Sequence, residues 1–370
     1  MMMMSEHTRG KVRSSGYNLP ISRSRRSYTW HALHLVGRFM RLLSVYVVYQ
    51  YLTSSGISVA IFTCICATTA AFMFLIVHRP WKGRSLTTYQ QLVPSIINGA
   101  FLSLSYVLWG HGLRACGPLR TIMAEYVGAL LGAMSTLILG KGGRKWQKVA
   151  GLMAMLASFY FLSQGWATST FSPFSYIDDK RTGENIAQKN PIGFQSMSLV
   201  FLGGAFAAVF RVIARRVSLK TQMKRRLHVV TVTSAACFLF PVAVFEATQK
   251  KSGIGLEIST TVVGIFLANS VFGVFLPFYV DLMADERLRI PVGSARHLLV
   301  TSVCVCILEI LYGMDFSFIG FLVCALSLGL GIFESTPLER GHGKSSQLPL
   351  HAEKSNVSLL EDPRMMSRVA

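Results

Sequence analysis

The sequence predicts an all-α polytopic membrane protein of about ten transmembrane helices, arranged as a 5+5 inverted repeat. Apolar residues make up 51% of the chain and charged residues only 15%, with a mean hydropathy of +0.44. Apolar runs of about 20 residues recur along the chain, which is the length that a helix needs to cross a hydrocarbon layer of about 30 Å. The connections between the runs alternate in charge, and the two halves carry similar landmarks.

The net charge of +20 is divided among short connections between apolar runs. A membrane protein keeps its cytoplasmic Lys and Arg in such places, so we expect a lipid bilayer and no nucleic acid as partner. The sequence contains no Walker loop, HExxH, GxSxG or CxxC pattern. We therefore expect neither an enzyme nor a bound cofactor or metal.

The seven cysteines lie in or beside apolar runs, which does not indicate a disulfide framework. Cys64 and Cys66 are two positions apart, as are Cys304 and Cys306. Two positions on a helix point about 200° apart, so neither pair can chelate a metal alone.

Ten apolar runs are long enough to be spans. They lie near residues 33–54, 57–77, 91–110, 118–139, 147–166, 194–214, 228–247, 259–281, 293–312 and 315–333. Arg38 and Arg41 interrupt the first, so an interfacial amphipathic helix is the alternative there. The second has no charged residue and is the clearest span.

The spans divide the chain into two membrane halves with polar segments around them. The predicted segments are a basic cytoplasmic tail (1–32), the first half (33–214), a basic cytoplasmic linker (215–227), the second half (228–333) and a disordered cytoplasmic tail (334–370). A transit peptide is the alternative for the first tail, which is rich in Ser and Arg.

Lys and Arg number 23 in the tail and connections of one side and seven in those of the other. The positive-inside rule then places both termini in the cytoplasm, provided that all ten spans exist.

The two halves carry the same landmarks in the same order. Gly117 to Arg120 open one helix, and Gly293 to Arg296 open another at the matching place in the second half. Gly140 and Gly313 close these helices, and Gly151 and Gly320 lie in the helices that follow. Because each half has five spans, the halves must cross the membrane in opposite directions, as in secondary transporters with a midplane binding site.

Glu125 lies about two turns inside the fourth span, where an ionisable group is costly unless it has a partner or faces a cavity. It is a candidate for an ion or substrate path, with Arg120 as its neighbour. A buried ion pair with a structural role is the alternative. The spacing of five is poor for helical pairing, so partners on other helices are favoured.

Three further residues are candidates for the path. Glu309 lies near the outer end of the ninth span, where it could also reach headgroups. Arg296 and His297 open that span; Arg296 could meet an anionic substrate, and anchoring to lipid phosphates is the alternative.

Asp281 and Asp285 form an i, i+4 acidic pair at the end of the eighth span. Such a pair could contribute to a metal site, but the charged residues that follow favour a solvated helix end.

The segment 114–134 reads RACGPLRTIMAEYVGALLGAM and precedes a turn rich in Gly and Lys. As a fold, it resembles one repeat of the drug/metabolite transporter superfamily, whose members have ten helices as five plus five. Its string Cys116-Gly117-Pro118-Leu119-Arg120-Thr121 resembles the membrane region that precedes the cation-efflux domain in cation diffusion facilitators of the zinc transporter five and plant metal tolerance protein twelve type. The stretch that ends at Asp281 resembles a second landmark of that region.

The resemblance implies zinc transport in the Golgi or early secretory pathway, with a cation-efflux subunit as hetero-oligomeric partner. The family's zinc site uses HxxxD pairs in the later cation-efflux domain, and no HxxxD occurs in this chain. The first hypothesis is therefore a membrane region that assists assembly or regulation of a zinc transporter. The alternatives are a stand-alone carrier for a small solute or nucleotide sugar, and a non-transporting membrane scaffold.

Overall fold

The computed structural model describes residues 21–79, 89–139, 145–173, 194–221, 224–249, 260–283 and 293–335. Within these ranges the regular elements are all helical. The α-helices are α1 (Ile21–Ser54), α2 (Val59–His78), α3 (Tyr89–Cys116), α4 (Pro118–Ala124), α5 (Val127–Leu139), α6 (Lys145–Ser163), α7 (Phe194–Thr221), α8 (Lys224–Gln249), α9 (Thr260–Ala268), α10 (Leu276–Met283), α11 (Ala295–Leu311) and α12 (Phe318–Ser335).

These helices form ten rods, at the places where the sequence predicts spans. Two rods are interrupted: α4 and α5 make the fourth, and α9, a π-helical stretch (Asn269–Phe275) and α10 make the eighth. The other rods are single helices, numbered here in chain order from first to tenth.

Seven stretches of the described helices are long and apolar enough to cross a membrane. They are Tyr28–Ser54, Val59–His78, Leu92–Cys116, Pro118–Ile138, Ser196–Val217, Arg226–Gln249 and Phe318–Ser335. Large apolar side chains such as Phe240, Ile310 and Leu330 are exposed on the outside of the bundle. A surface of this kind is suited to lipid, so the chain is an integral membrane protein.

The remaining three rods, the fifth, eighth and ninth, are too short, too polar or too irregular to be counted among these seven stretches, each for its own physical reason. Helix α11 has 17 residues, which span about 25 Å at 1.5 Å per residue. Helix α6 begins with Lys145 and Lys148, and the eighth rod is broken by the π-helical stretch.

The first rod is part of the bundle and is not a surface helix. Helix α1 begins earlier than predicted and packs against α10, α11 and the π-helical stretch. Leu42, Tyr46 and Leu52 are fully buried along it, and Arg38 is buried among them. The interfacial alternative would leave these groups at the membrane surface, so the structure favours the span.

The residues of the predicted linker 215–227 that are described continue the helices. Helix α7 runs to Thr221 and α8 begins at Lys224, and the predicted tail likewise contains the start of α1. Lys and Arg are good helix formers, so a basic stretch beside an apolar helix extends it.

The fourth rod bends between α4 and α5. The amides of Glu125 and Tyr126 donate to the carbonyls of Ile122 and Met123, three residues back in each case. These tighter bonds replace the regular four-residue pattern and end α4 after seven residues, about a third of the way along the rod. A discontinuous helix is found at the ligand sites of many transporters.

Four contacts between rods dominate the packing: α3 with α7, α3 with α8, α2 with α8, and α6 with α12. The buried side chains of α1, α4, α11 and α12 join in one large core cluster. The fold leaves a space at its centre, between the rods of the first half of the chain and those of the second.

Candidate functional site

A cavity of about 460 Å³ lies at the centre of the bundle. Residues of α1, α2, α3, α4, α7, α8 and the eighth rod line it, so both halves of the chain contribute. Its polar lining side chains include Arg41, Ser95, Asn98, Ser105, Tyr106, Thr121, Glu125, Arg211, Arg215, His228, Thr231 and Asn269. Polar groups at this density within an apolar bundle are typical of a solute-binding site.

The cavity runs from the break of the fourth rod toward the end of the bundle where α7 ends and α8 begins. Glu125 lines it at the break, and Arg215, Leu227 and His228 line it near the other limit. Arg215 is exposed, so this limit lies at the surface.

Two arginines of α1 bind the single carboxylate of Glu125. Arg41 Nη2 lies 2.7 Å from Oε1 and Arg38 Nη2 lies 3.3 Å from Oε2. The exposed fractions of the side chains are 1% for Arg38, 18% for Arg41 and 10% for Glu125. Arg38 is thus sealed in protein, whereas Arg41 also faces the cavity.

The spacing of Arg38 and Arg41 explains how they share one acid. Residues three apart lie on the same face of a helix, and this face of α1 turns inward. The break after Ala124 places Glu125 opposite them. A charge-assisted pair is favourable in a membrane interior because a lone charge there is costly.

A chain of hydrogen bonds continues from this ion cluster to the ninth rod. Arg38 Nε donates to Thr301 Oγ1 at 3.1 Å, and the Tyr126 hydroxyl donates to the same oxygen at 2.8 Å. The Tyr126 oxygen also lies 2.9 Å from Nδ1 of His297. His297 Nε2 is buried and has no hydrogen-bond partner among the described residues. The network joins the first, fourth and ninth rods.

The structure brings some of the predicted path residues together and separates others. Glu125 and His297 belong to the network, with Glu125 paired to another helix as expected. Arg296, next to His297, is exposed and does not line the cavity. Glu309 is buried away from the cavity and accepts a hydrogen bond of 2.7 Å from the Tyr46 hydroxyl. It therefore binds α1 and does not reach outward to headgroups.

Arg120 does not pair with Glu125. Arg120 lies in the first turn of α4, and its guanidinium is buried near Gly165 and within electrostatic reach of Asp315. Its Nε has no hydrogen-bond partner among the described residues. Arg120 thus faces the connections that follow α6 and α11, whereas Glu125 belongs to the cavity.

Asp315, between α11 and α12, joins these two connections. It accepts hydrogen bonds from the hydroxyls of Ser169 and Thr170, in the connection that follows α6. Partial burial raises the pKa of Asp315, but the side-chain and backbone donors of Ser169 and Thr170 lower it by more, so the net pKa is below its usual range.

The motif residues occupy a helix start. Gly117 precedes α4 with φ of 83°, and Pro118 begins the helix, where its missing N–H is no loss. Pro118 and Leu119 are buried. Asp281 lies in α10, but its side chain and the whole of Asp285 are outside the described residues, so the acidic pair stays a prediction.

Sequence reasoning missed most of the cavity. It treated Arg38 and Arg41 as interruptions of a span, although an arginine within an apolar run is itself a sign of a buried partner. Arg211 and Asn98 were not among the predicted path residues. In the described part of the chain, no three His, Cys, Asp or Glu side chains are grouped so as to hold a metal ion.

Comparisons with known proteins address the fold alone. No family model matches the chain, and no curated protein is significantly similar to it. Nine chains of solved structures match it. One of these, described only as "Crystal structure of protein", is 14% identical with a TM-score of 0.50, over 85% of this chain and 99% of that one. The class that the fold and site define is an all-helical integral membrane protein with a polar central cavity.

Proposed function

We propose that the protein is a carrier for a small solute, built from ten transmembrane helices as a 5+5 inverted repeat. The observation that carries the proposal is the cavity of about 460 Å³, lined by polar side chains from both halves and bounded by a discontinuous helix. A midplane site between two inverted halves is the design by which secondary transporters expose a solute to each side in turn.

The packing of the rods supports the repeat. In such a repeat each of the first five rods corresponds to the rod five places later. The contact between the third and sixth rods then corresponds to the contact between the eighth and first rods. In the same way, the contact between the third and seventh rods corresponds to that between the eighth and second rods. The contact between the fourth and sixth rods corresponds to that between the ninth and first rods. All six contacts occur, and the pairs second–seventh and fifth–tenth, which map onto themselves, also occur.

Matching landmarks support it at the level of residues. Gly117 and Gly293 both have positive φ, of 83° and 91°, just before the fourth and ninth rods. Glu125 and Thr301 stand equally far beyond these glycines, and both bind Arg38. Gly151 lies against α12, and Gly320 lies against the chain that follows α6. Each of these two glycines thus lies at a contact between the last rod of its own half and the last rod of the other half, or the chain that follows that rod.

The position of the cavity mouth suggests the state of the carrier. The mouth lies where α7 ends and α8 begins, among the basic residues that the positive-inside rule assigns to the cytoplasm. We infer a cytoplasm-facing state with both termini on that side. The likeness to cation-efflux transporters, the Golgi location and a hetero-oligomeric partner stay predictions, as does the scaffold alternative.

Alternating access can be tested without knowing the solute. In a chain whose seven cysteines are replaced, Ala207→Cys places one thiol in the cavity. Val212→Cys, on the same helix, is the control, because Val212 is 52% exposed and does not line the cavity. The chain is reconstituted in vesicles of known orientation and treated with a membrane-impermeant thiol reagent from each side.

A carrier exchanges between two states, so the thiol at position 207 labels rapidly from the mouth side and slowly but completely from the other. The thiol at position 212 labels from neither side, because it faces hydrocarbon. Labelling of the cavity thiol from one side only would contradict the carrier and favour the scaffold. Equal rates from both sides would indicate a channel and would also contradict it.

A further inference from the structure

The described side chains that line the cavity carry more positive than negative charge. Among its described lining residues, Arg41, Arg211 and Arg215 are cationic, and Glu125 is the one carboxylate. Glu125 is shared between Arg41 and the buried Arg38, and Arg211 also acts on it electrostatically. Two guanidinium groups therefore bind this carboxylate, and a third lies within electrostatic reach of it.

An excess of positive charge within the membrane-spanning part of a protein is costly because lipid cannot solvate it. Such an excess is retained where a charge of opposite sign binds. The fork of Arg donors matches the oxygens of phosphate and carboxylate groups, and Arg is the residue of choice for both.

The remainder of the cavity suits an organic group. Tyr106, Trp109 and Phe210 line it beside the polar residues, and its volume is within the range of sites for small organic ligands. Aromatic rings and Arg planes both stack on flat rings.

We propose that the cavity binds an organic anion, a phosphate or carboxylate group attached to a ring, with its acid group between Arg41 and Arg211. This inference rests on the proposed carrier function and names its substrate class. The entering acid takes the place of the Glu125 oxygen on Arg41.

The two arginines that hold Glu125 differ in a way that permits this exchange. Arg41 lines the cavity and is 18% exposed, whereas Arg38 is 1% exposed and also bonds to Thr301. Glu125 therefore keeps its contact with Arg38 when it leaves Arg41. In the empty cavity Glu125 compensates Arg41, and in the loaded cavity the substrate does.

Binding is measured on the purified full-length chain in detergent, as the shift in melting temperature with four probes that share a ring. Phenyl phosphate and benzoate are anions, benzyl alcohol is neutral and benzylamine is a cation. The anions are expected to raise the melting temperature, and the other two are not. An equal shift with benzylamine or benzyl alcohol would overturn the proposal.

Variants locate the effect. Arg211→Gln should weaken phenyl phosphate binding by roughly tenfold or more, since a charge-assisted contact is lost. Arg296→Gln removes the same charge from an exposed position outside the cavity and should leave binding unchanged. Glu125→Gln removes the competitor and should tighten binding. Equal losses in Arg211→Gln and Arg296→Gln would place the anion elsewhere and overturn the site.

Two further probes test whether the acid group belongs to a ring-bearing solute, to free phosphate or to a lipid headgroup. Inorganic phosphate that stabilises as strongly as phenyl phosphate would overturn the requirement for a ring. Phosphatidylglycerol in mixed micelles that displaces phenyl phosphate would assign the site to a lipid headgroup and overturn the substrate class. The cysteine-labelling test uses no anion, so two-sided labelling without anion binding would refute this inference and leave the carrier standing.

Discussion

Arg38 and Glu125 are 87 positions apart in the chain, yet Nη2 of the arginine lies 3.3 Å from Oε2 of the carboxylate. The same guanidinium donates from Nε to Thr301, which lies in the ninth rod. One buried side chain of α1 thus binds both the fourth and the ninth rod.

Glu125→Ala removes the carboxylate that α1 and the fourth rod share. Taking one partner from a buried ion pair leaves a charge without compensation and costs about 3–5 kcal/mol. We expect a clear fall in the free energy of unfolding, measured by denaturant titration in detergent. Arg296→Ala is the control, since Arg296 is exposed. An Arg296→Ala chain that loses as much stability would show that the pair has no special role.

Gly204→Ala tests the approach of α7 to the fourth rod. A Cβ at position 204 would collide with the backbone carbonyl of Ala124, which cannot move aside as a flexible side chain can. We expect a destabilisation of about 1–3 kcal/mol, the usual cost of overpacking, and a lower melting temperature.

Gly132→Ala is the matched control for this substitution. A Cβ at Gly132 would meet nothing within 4 Å, so the higher helix propensity of Ala should leave stability unchanged or raise it by up to about 1 kcal/mol. A stable Gly204→Ala chain would mean that α4 and α7 are farther apart.

Tyr46→Phe removes the hydroxyl that donates to Glu309 and leaves a buried carboxyl without this bond. The expected cost is about 1–3 kcal/mol, the penalty for an unsatisfied buried polar group. Melting temperatures in detergent measure it. Tyr160→Phe is the comparison, because Tyr160 is 60% exposed, and it should be neutral. Equal stability of the two variants would argue against the Tyr46–Glu309 contact.

Asp315 should make stability fall in acid. Its folded-state pKa is lowered by the donors of Ser169 and Thr170, so its contribution is complete above the ordinary pKa of Asp and is lost as pH falls through the lowered value. The window is below about pH 4. Melting temperatures between about pH 3 and pH 7 should fall more steeply at the acid end for the natural chain than for Asp315→Asn. Parallel curves would contradict this assignment.

The helical fold could be predicted because it depends on local composition. The uncharged run of α2 must form a helix in lipid, since no other partner exists there for its backbone groups. Breaks are harder to predict, because the bend at Glu125 depends on how α4 packs against α7. The sequence around Glu125 carries neither Pro nor an unusual run of Gly at the break itself.

The candidate site could be predicted only in part. Glu125 was found because an acid inside an apolar run is conspicuous, and His297 because it opens a span. Arg120 and Arg296 were candidates because they open predicted spans, but Arg120 is buried away from Glu125 and Arg296 is exposed. Charge in the sequence does not specify which side of a helix faces a cavity.

By itself the sequence determined that the chain is helical and apolar and roughly where along the chain its rods lie, because hydrophobic run length and charge act locally along the chain. Only the tertiary structure decided that Arg38 and Arg41 meet Glu125 and that Arg211 joins them at one cavity. These contacts link residues from separate rods, and their energy depends on distance and burial. Neither the distance between two rods nor the burial of a side chain between them can be read from the sequence alone.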